Sequence, residues 1–233
     1  MPAPVDTGKD WQRSAVQKIN NGDADRFTLV LESVQPLGGQ VADFGWLKEI
    51  KKNVQVLIDD SHGIGILGEK GSGISGLLPQ TPCITYIICY SLAKAYSLQG
   101  GAVSGTEAFI RSLKRTAWFS GGTPLSPAFA HAWLQATSLF EQQRVQLMTN
   151  IRSFRGLLSS QTNISNDERL PVFISRIPGL YEHCYDHRCL LSSFSYPTEK
   201  DTPVTRIVLN ALHRPEDLEK LAQIIVHCDE RTA

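Results

Sequence analysis

Three short apolar runs constrain this chain more than any other feature. Phe27–Leu31, Val54–Ile58 and Cys83–Tyr90 are each long enough for a strand and far short of the roughly 20 apolar residues a membrane helix needs. The first two are nearly continuous in apolar residues, with Thr28 and Gln55 the exceptions, the pattern of strands buried on both faces. The third is rich in β-branched and aromatic residues, which suit a strand. Upstream, Asp10–Asn20 has helical spacing, with Trp11, Val16 and Ile19 on one side and Asn21-Gly22 as the stop. Trp46–Ile50 reads as a short helix between the first two strands. Strand, helix and strand in this order predict a parallel α/β sheet.

The texture changes further on. Ser126-Pro127 opens a helical pattern running towards Leu158, with proline where a first turn tolerates it. A turn-rich polar patch, Ser159–Asp167, follows. Short strands are then expected around Val172–Ile174 and Thr205–Leu209, and a last helix from Pro215 to about Cys228. The division predicted is a larger α/β part over 1–135, then a long connecting helix and a small α+β domain over 136–233. No repeats or low-complexity tracts interrupt it.

Composition narrows the partners. Of 233 residues, 23 are Lys or Arg and 23 are Asp or Glu, so no basic excess exists to grip nucleic acid or an anionic membrane surface. The N-terminus has neither a basic n-region nor an apolar h-region. Cys83, Cys89, Cys184, Cys189 and Cys228 form no C-x-x-C pair and no metal spacing. They read as reduced thiols in a cytoplasmic protein, small hydrophobes packed in the interior.

Gly63-Ile64-Gly65-Ile66-Leu67-Gly68 satisfies the G-x-G-x-x-G pattern after a strand. A dinucleotide site also needs a helix opening at those glycines and an acid about 20 residues on. The chain continues instead through Gly71, Gly73 and Gly76, too glycine-rich for a helix, and the next acid after Glu69 is Glu107. A nicotinamide or flavin dinucleotide is therefore not expected, and no Walker-type Gly-Lys-Ser/Thr occurs.

Three other elements can carry chemistry. Asp59-Asp60-Ser61-His62 ends the second strand, where open α/β sheets bind ligands. Ser91-Leu92-Ala93-Lys94 ends the third, delivering a lysine to the same edge. Arg206 lies in a late strand, with His213 after it. Singly, these would be a solvated turn, a surface lysine and a salt-bridged strand residue.

Together they resemble a known family. Val56–Gly68, with its Asp59-Asp60-Ser61-His62 core, is similar to the V-D-D-[SA]-H-x-x-G-x-x-G segment of the α-oxoamine synthases. These are fold-type-I pyridoxal phosphate (PLP) enzymes that include 8-amino-7-oxononanoate synthase, 2-amino-3-ketobutyrate CoA ligase and serine palmitoyltransferase. Ser91–Ala95 resembles their T-[FL]-[SG]-K-A, and Arg206–His213 their R-x-x-[IL]-[ST]-A-A-H. The resemblance covers residue 25 to the end. It implies a truncated fold-type-I, aspartate aminotransferase-like large domain with a mostly parallel sheet, plus a small α+β C-terminal domain. It also implies a PLP-dependent acyltransferase condensing a small amino acid with an acyl-CoA. By the same resemblance Asp59 faces the pyridine nitrogen and Lys94 forms the Schiff base, then acts as base at Cα. His62 hydrogen-bonds the ring's phenolic oxygen, Ser91 contacts the phosphate and Arg206 pairs with the amino-acid carboxylate.

Departures from the family open a second reading. The resemblance begins inside the family's large domain, so the N-terminal third that supplies a ring stacked on PLP is expected to be missing. Pro36 falls where the family has a cofactor-bonding serine. Gly121 and Gly122 replace a Ser-Thr pair that reaches a neighbouring subunit's phosphate, although Thr123 stands beside them. The alternative is a non-catalytic homologue acting as a subunit or regulator of a related enzyme such as serine palmitoyltransferase. Either reading expects a homodimer or a heterodimer with a related subunit, and association with a membrane through such a partner stays open.

Overall fold

The computed structural model describes residues 9–24, 26–35, 37–158, 163–196 and 198–232. The first half of the chain runs α1 (Lys9–Asn21), β1 (Phe27–Glu32), β2 (Val34–Gln35), β3 (Gln40–Val41), β4 (Val54–Asp59), β5 (Ile84–Ser91), α2 (Leu92–Ala95) and β6 (Gly101–Ser104). Then come α3 (Glu107–Leu113), α4 (Ala117–Gly121), α5 (Pro127–Gln135), α6 (Thr137–Leu157), β7 (Ile164–Ser165), β8 (Val172–Ser175), α7 (Leu180–Asp186), β9 (Ser192–Ser195), β10 (Pro203–Val208) and α8 (Pro215–Thr232). Contacts divide the chain into two units, one of Met1–Ser33 and Ala42–Trp133, the other of Val34–Val41 and Leu134–Ala233.

The first unit is built on a sheet of order β1-β4-β5-β6, parallel across β1, β4 and β5, with β6 antiparallel at the edge. The three apolar runs thus become the three parallel strands. Val54, Val56 and Ile58 of β4 point into a core shared with Val16 and Ile19 of α1 and with Leu47 and Ile50. Trp11 meets Trp46 edge to face at 5.7 Å. Asn20 fastens the helix to the turn beneath it, donating to the Glu49 carbonyl and accepting the Lys51 amide, both at 2.9 Å.

Two expectations need correction. β1 is not buried on both faces: Thr28, Val30 and Glu32 are exposed, and Val30 is 67% exposed. Uniform apolar composition reports affinity for a core, whereas burial depends on what packs against each face. The helical pattern from Pro127 to Leu158 is also interrupted. Ala136 leaves the helical conformation (φ −93°, ψ 8°), and the Thr137 hydroxyl donates to the Leu134 carbonyl at 3.4 Å. Two helices result, with no proline or glycine at the break.

The second unit is α+β, with a sheet of order β7-β8-β10-β9, antiparallel throughout. Ile151 and Phe154 of α6, Phe173 of β8, Ile207 of β10 and Leu218, Ala222 and Ile225 of α8 form its core. Leu218, Ala222 and Ile225 recur at the spacing that puts one helix face inward. Phe154 and Phe173 meet edge to face at 5.0 Å. The β2–β3 hairpin belongs to this unit through Asp167, whose Oδ2 accepts the Val41 amide at 3.2 Å. Among the described residues, no helix is long and apolar enough to cross a membrane.

Candidate active site

The C-terminal ends of β4 and β5 place the sequence-predicted residues of the first unit together. β4 and β5 are in register at Asp59 and Cys89, and the Asp60 amide extends the ladder to the Cys89 carbonyl at 2.8 Å. From there β4 turns into the Ser61-His62 loop while β5 runs into α2, which begins after Ser91 and carries Lys94. The two segments are joined directly, because the Ser91 amide donates to the Ser61 hydroxyl at 3.0 Å. Buried Leu92 anchors the short helix and leaves Lys94 exposed.

Asp59 and Asp60 have opposite roles. Asp60 is fully buried, and its Oδ2 accepts the Ile74 amide at 2.8 Å. A Cβ on Gly63 would collide with its other carboxyl oxygen. The glycine-rich run is therefore a wrap around a buried carboxyl, not a phosphate cradle. Gly65, at φ +80°, lies so close to α2 that a Cβ there would meet the Ala95 Cβ at 2.6 Å. Burial pushes the Asp60 carboxyl above its usual range, opposed by the Ser33 hydroxyl and the Ile74 amide.

Asp59 is exposed, and its Oδ1 accepts the Ser61 amide at 2.9 Å. Partial burial works to raise its carboxyl. The Ser61 hydroxyl and amide and the charges of Lys94 and His62 outweigh that and hold it below the usual range. The result is a carboxylate favoured in its charged form, with a lysine in electrostatic reach, at the rim of a parallel sheet.

His62 sits on the loop after Asp59, exposed and close enough to influence that carboxyl. The Ser91 hydroxyl makes no capping bond to α2. Arg206 stands in the second unit, on β10 opposite Ile174 and Ser192, with its guanidinium 4.6 Å over the Phe194 ring. Burial lowers its pKa from the ordinary arginine value. Pro36 lies outside the described residues. Gly121 ends α4 and Gly122 follows it in extended backbone, on an exposed surface. Of the five cysteines only Cys184 and Cys228 are buried; the other three are half-buried, so the all-interior expectation holds for two.

Sequence reasoning passed over Ser61 as a bridge and Asp60 as the centre of the glycine wrap. It also passed over Glu32, which the β1–β4 register sets opposite Asp59. An acid at the last position of a strand parallel to β4 was the available signal.

The comparisons with known proteins bear on the family and the fold. Residues 10–225 match the family described as aminotransferase class I and II. The 8-amino-7-oxononanoate synthase of Petrotoga mobilis is 30% identical over 215 residues, covering 87% of this chain and 54% of that protein. The protein of the same name from Thermosipho melanesiensis is 30% identical over 213 residues, with 84% and 54% covered. The chain thus spans about half the length of these curated relatives. Among solved structures, a serine palmitoyltransferase from S. paucimobilis with bound PLP and myriocin superposes with a TM-score of 0.77 at 14% identity, covering 96% of this chain and 59% of the other. The 8-amino-7-oxononanoate synthase of Francisella tularensis superposes with a TM-score of 0.69 at 23% identity, covering 93% and 66%. The two superpositions establish the fold: a fold-type-I large-domain sheet together with a small α+β domain.

Proposed function

Because this chain belongs to the aminotransferase class I and II family, we propose that it binds PLP and serves the condensation of a small amino acid with an acyl-CoA. The observation that carries this reading is the ionised Asp59 carboxylate within electrostatic reach of Lys94 at the C-terminal edge of β4 and β5. When bound, PLP supplies an electron sink for negative charge at the substrate Cα.

The donor set fits such a group. A pyridine nitrogen keeps its proton when a carboxylate opposes it, and Asp59 is held in the charged form that this requires. Lys94 would hold the cofactor through its Nζ and, once displaced by substrate, would move the proton at Cα. His62 would hydrogen-bond the phenolic oxygen of the ring. The Ser91 hydroxyl, unused in capping, would bind phosphate. The Arg206 guanidinium is assigned to the amino-acid carboxylate, a charge-assisted contact worth about 1.5–3 kcal/mol.

Asp59, His62 and Lys94 are all exposed, and this chemistry needs water kept out. The working enzyme therefore has this edge covered by further protein, in a homodimer or a heterodimer with a related subunit. The same exposure favours a second reading, in which the chain is a non-catalytic subunit of such an enzyme.

Release of free coenzyme A thiol from acyl-CoA, in the presence of PLP and a panel of small amino acids, separates the two readings. Turnover that disappears in Lys94→Ala supports catalysis. A folded, PLP-binding chain that releases no thiol with any amino acid supports the subunit reading.

A further inference from the structure

The loop from α7 to β9, the end of β10 and the first turns of α8 border a cavity of about 290 Å³ in the second unit. Its volume is at the small end of the range for ligand sites. Leu190 and Val208 line it and are 77% and 52% exposed, alongside buried Ile207, Leu209 and Leu218. An apolar wall of this kind, left open to water, suits an aliphatic chain.

Charge gathers at the same place and has one sign. Arg188, Lys220, His213 and Asp217 also line the cavity. Both carboxyl oxygens of Asp217 are taken by Arg214, which donates its amide and its Nε to Oδ2 and its Nη2 to Oδ1, each at 3.2 Å. His213 turns both ring nitrogens to Asn210. Among the described residues, neither Arg188 nor Lys220 takes part in an ion pair. Two uncompensated cations therefore border a cavity whose one lining acid is already bonded.

Arg188 also occupies a position that favours another residue. It follows the C-terminal cap of α7 and has φ +61°. Its amide donates to the Tyr185 carbonyl at 2.9 Å, and the Cys189 amide donates to the Cys184 carbonyl at 2.8 Å. These two bonds make a Schellman ending, whose left-handed position takes glycine at least strain. An arginine there carries backbone strain that a glycine would avoid, and such strain collects at ligand sites.

We infer that this cavity binds a medium-chain aliphatic carboxylate, with its chain along Leu190, Val208 and Leu221 and its head near Arg188 and Lys220. The planar Arg188 guanidinium matches a carboxylate through two parallel N–H groups. A bare phosphate would use the cations and leave the apolar wall wet. The volume suits a short chain rather than a membrane lipid. None of the residues assigned to PLP takes part, so the inference stands apart from the cofactor reading.

Cys189 lines the cavity and is half-buried, which supplies a local readout. Its alkylation by iodoacetamide is followed by peptide mass spectrometry across a titration with sodium octanoate, kept below the micellar concentration. Cys83, in the first unit, is the internal reference. Octanoate should slow Cys189 alkylation about fivefold at saturation and leave Cys83 unchanged. 1-Octanol lacks the charge and inorganic phosphate lacks the chain. Each should need about tenfold higher concentration for the same protection.

Arg188→Gly should raise the octanoate concentration needed about tenfold, while the unfolding midpoint holds or rises by about 2 °C. Arg188→Lys should recover part of the affinity. Absence of saturable protection at Cys189, equal protection by octanol or phosphate, or unchanged octanoate affinity in Arg188→Gly would overturn the inference. A marked fall in the unfolding midpoint of Arg188→Gly would also overturn it, by assigning Arg188 to the fold.

Discussion

The amide of Ser91 donates to the hydroxyl of Ser61 at 3.0 Å, joining the loop that follows Asp59 and carries His62 to the helix that carries Lys94. The same hydroxyl helps hold Asp59 ionised, so one small side chain both aligns and tunes the site. Ser61→Ala removes both contributions, each worth about 1 kcal/mol. Affinity for PLP is expected to fall about thirtyfold if both are lost in full, read by fluorescence quenching on titration.

Asn150 provides a buried polar tie in the second unit. Buried in α6, its amide donates to the carbonyls of Asn210 and His213, each at 3.0 Å. These hold the turn that follows β10, the strand of Arg206. Asn150→Leu leaves both carbonyls without that donor at a cost of about 2–3 kcal/mol. A drop of about 5–10 °C in the unfolding midpoint is expected by calorimetry.

Asp167 makes the second unit acid-sensitive. Hydrogen bonds from the Arg169 guanidinium, against a burial that works the other way and with the amides of Arg169 and Val41, draw its carboxyl from 3.8 down to about 2. A depressed acid stabilises the fold fully above its unfolded pKa and loses that contribution as pH falls through its folded one. The β2–β3 hairpin should therefore loosen between pH 3.8 and about 2. Asp167→Asn should remove that dependence from denaturation curves and cost about 1 kcal/mol near neutral pH, a small figure because the pair is partly solvated.

Thiol chemistry should sort the cysteines by burial. Burial, helped by Cys189 and Cys228, pushes the Cys184 thiol up to about 12, and Cys184 and Cys228 lie in the core of the second unit. Alkylation of the native chain by iodoacetamide should reach Cys83, Cys89 and Cys189 first. Cys184 and Cys228 should react only on unfolding, and early labelling of either would contradict the packing described.

Much of this architecture was readable because it follows from local composition. The strands at Phe27, Val54 and Ile84 announced themselves as apolar runs, and the order of Asp59, Lys94 and Arg206 marked the family. What was not readable depends on partners distant in the chain. The glycines from Gly63 onward exclude a helix on sight, but their wrap around Asp60 appears only once that carboxyl is buried. The hairpin at Val41 is held by Asp167, and nothing in either segment names the other. Val30 belongs to an apolar run yet is exposed, because burial is set by what covers a strand. Glu32 gained meaning only from the register that put it beside Asp59.

The most direct test of the account is whether Lys94 captures PLP. The purified chain, with PLP added and then borohydride, should show a visible absorbance band that reduction removes, and a pyridoxyl group on the peptide containing Lys94. Lys94→Ala should show neither. A folded wild-type chain with no band and no adduct on Lys94, or an adduct formed equally on other lysines, would contradict the account.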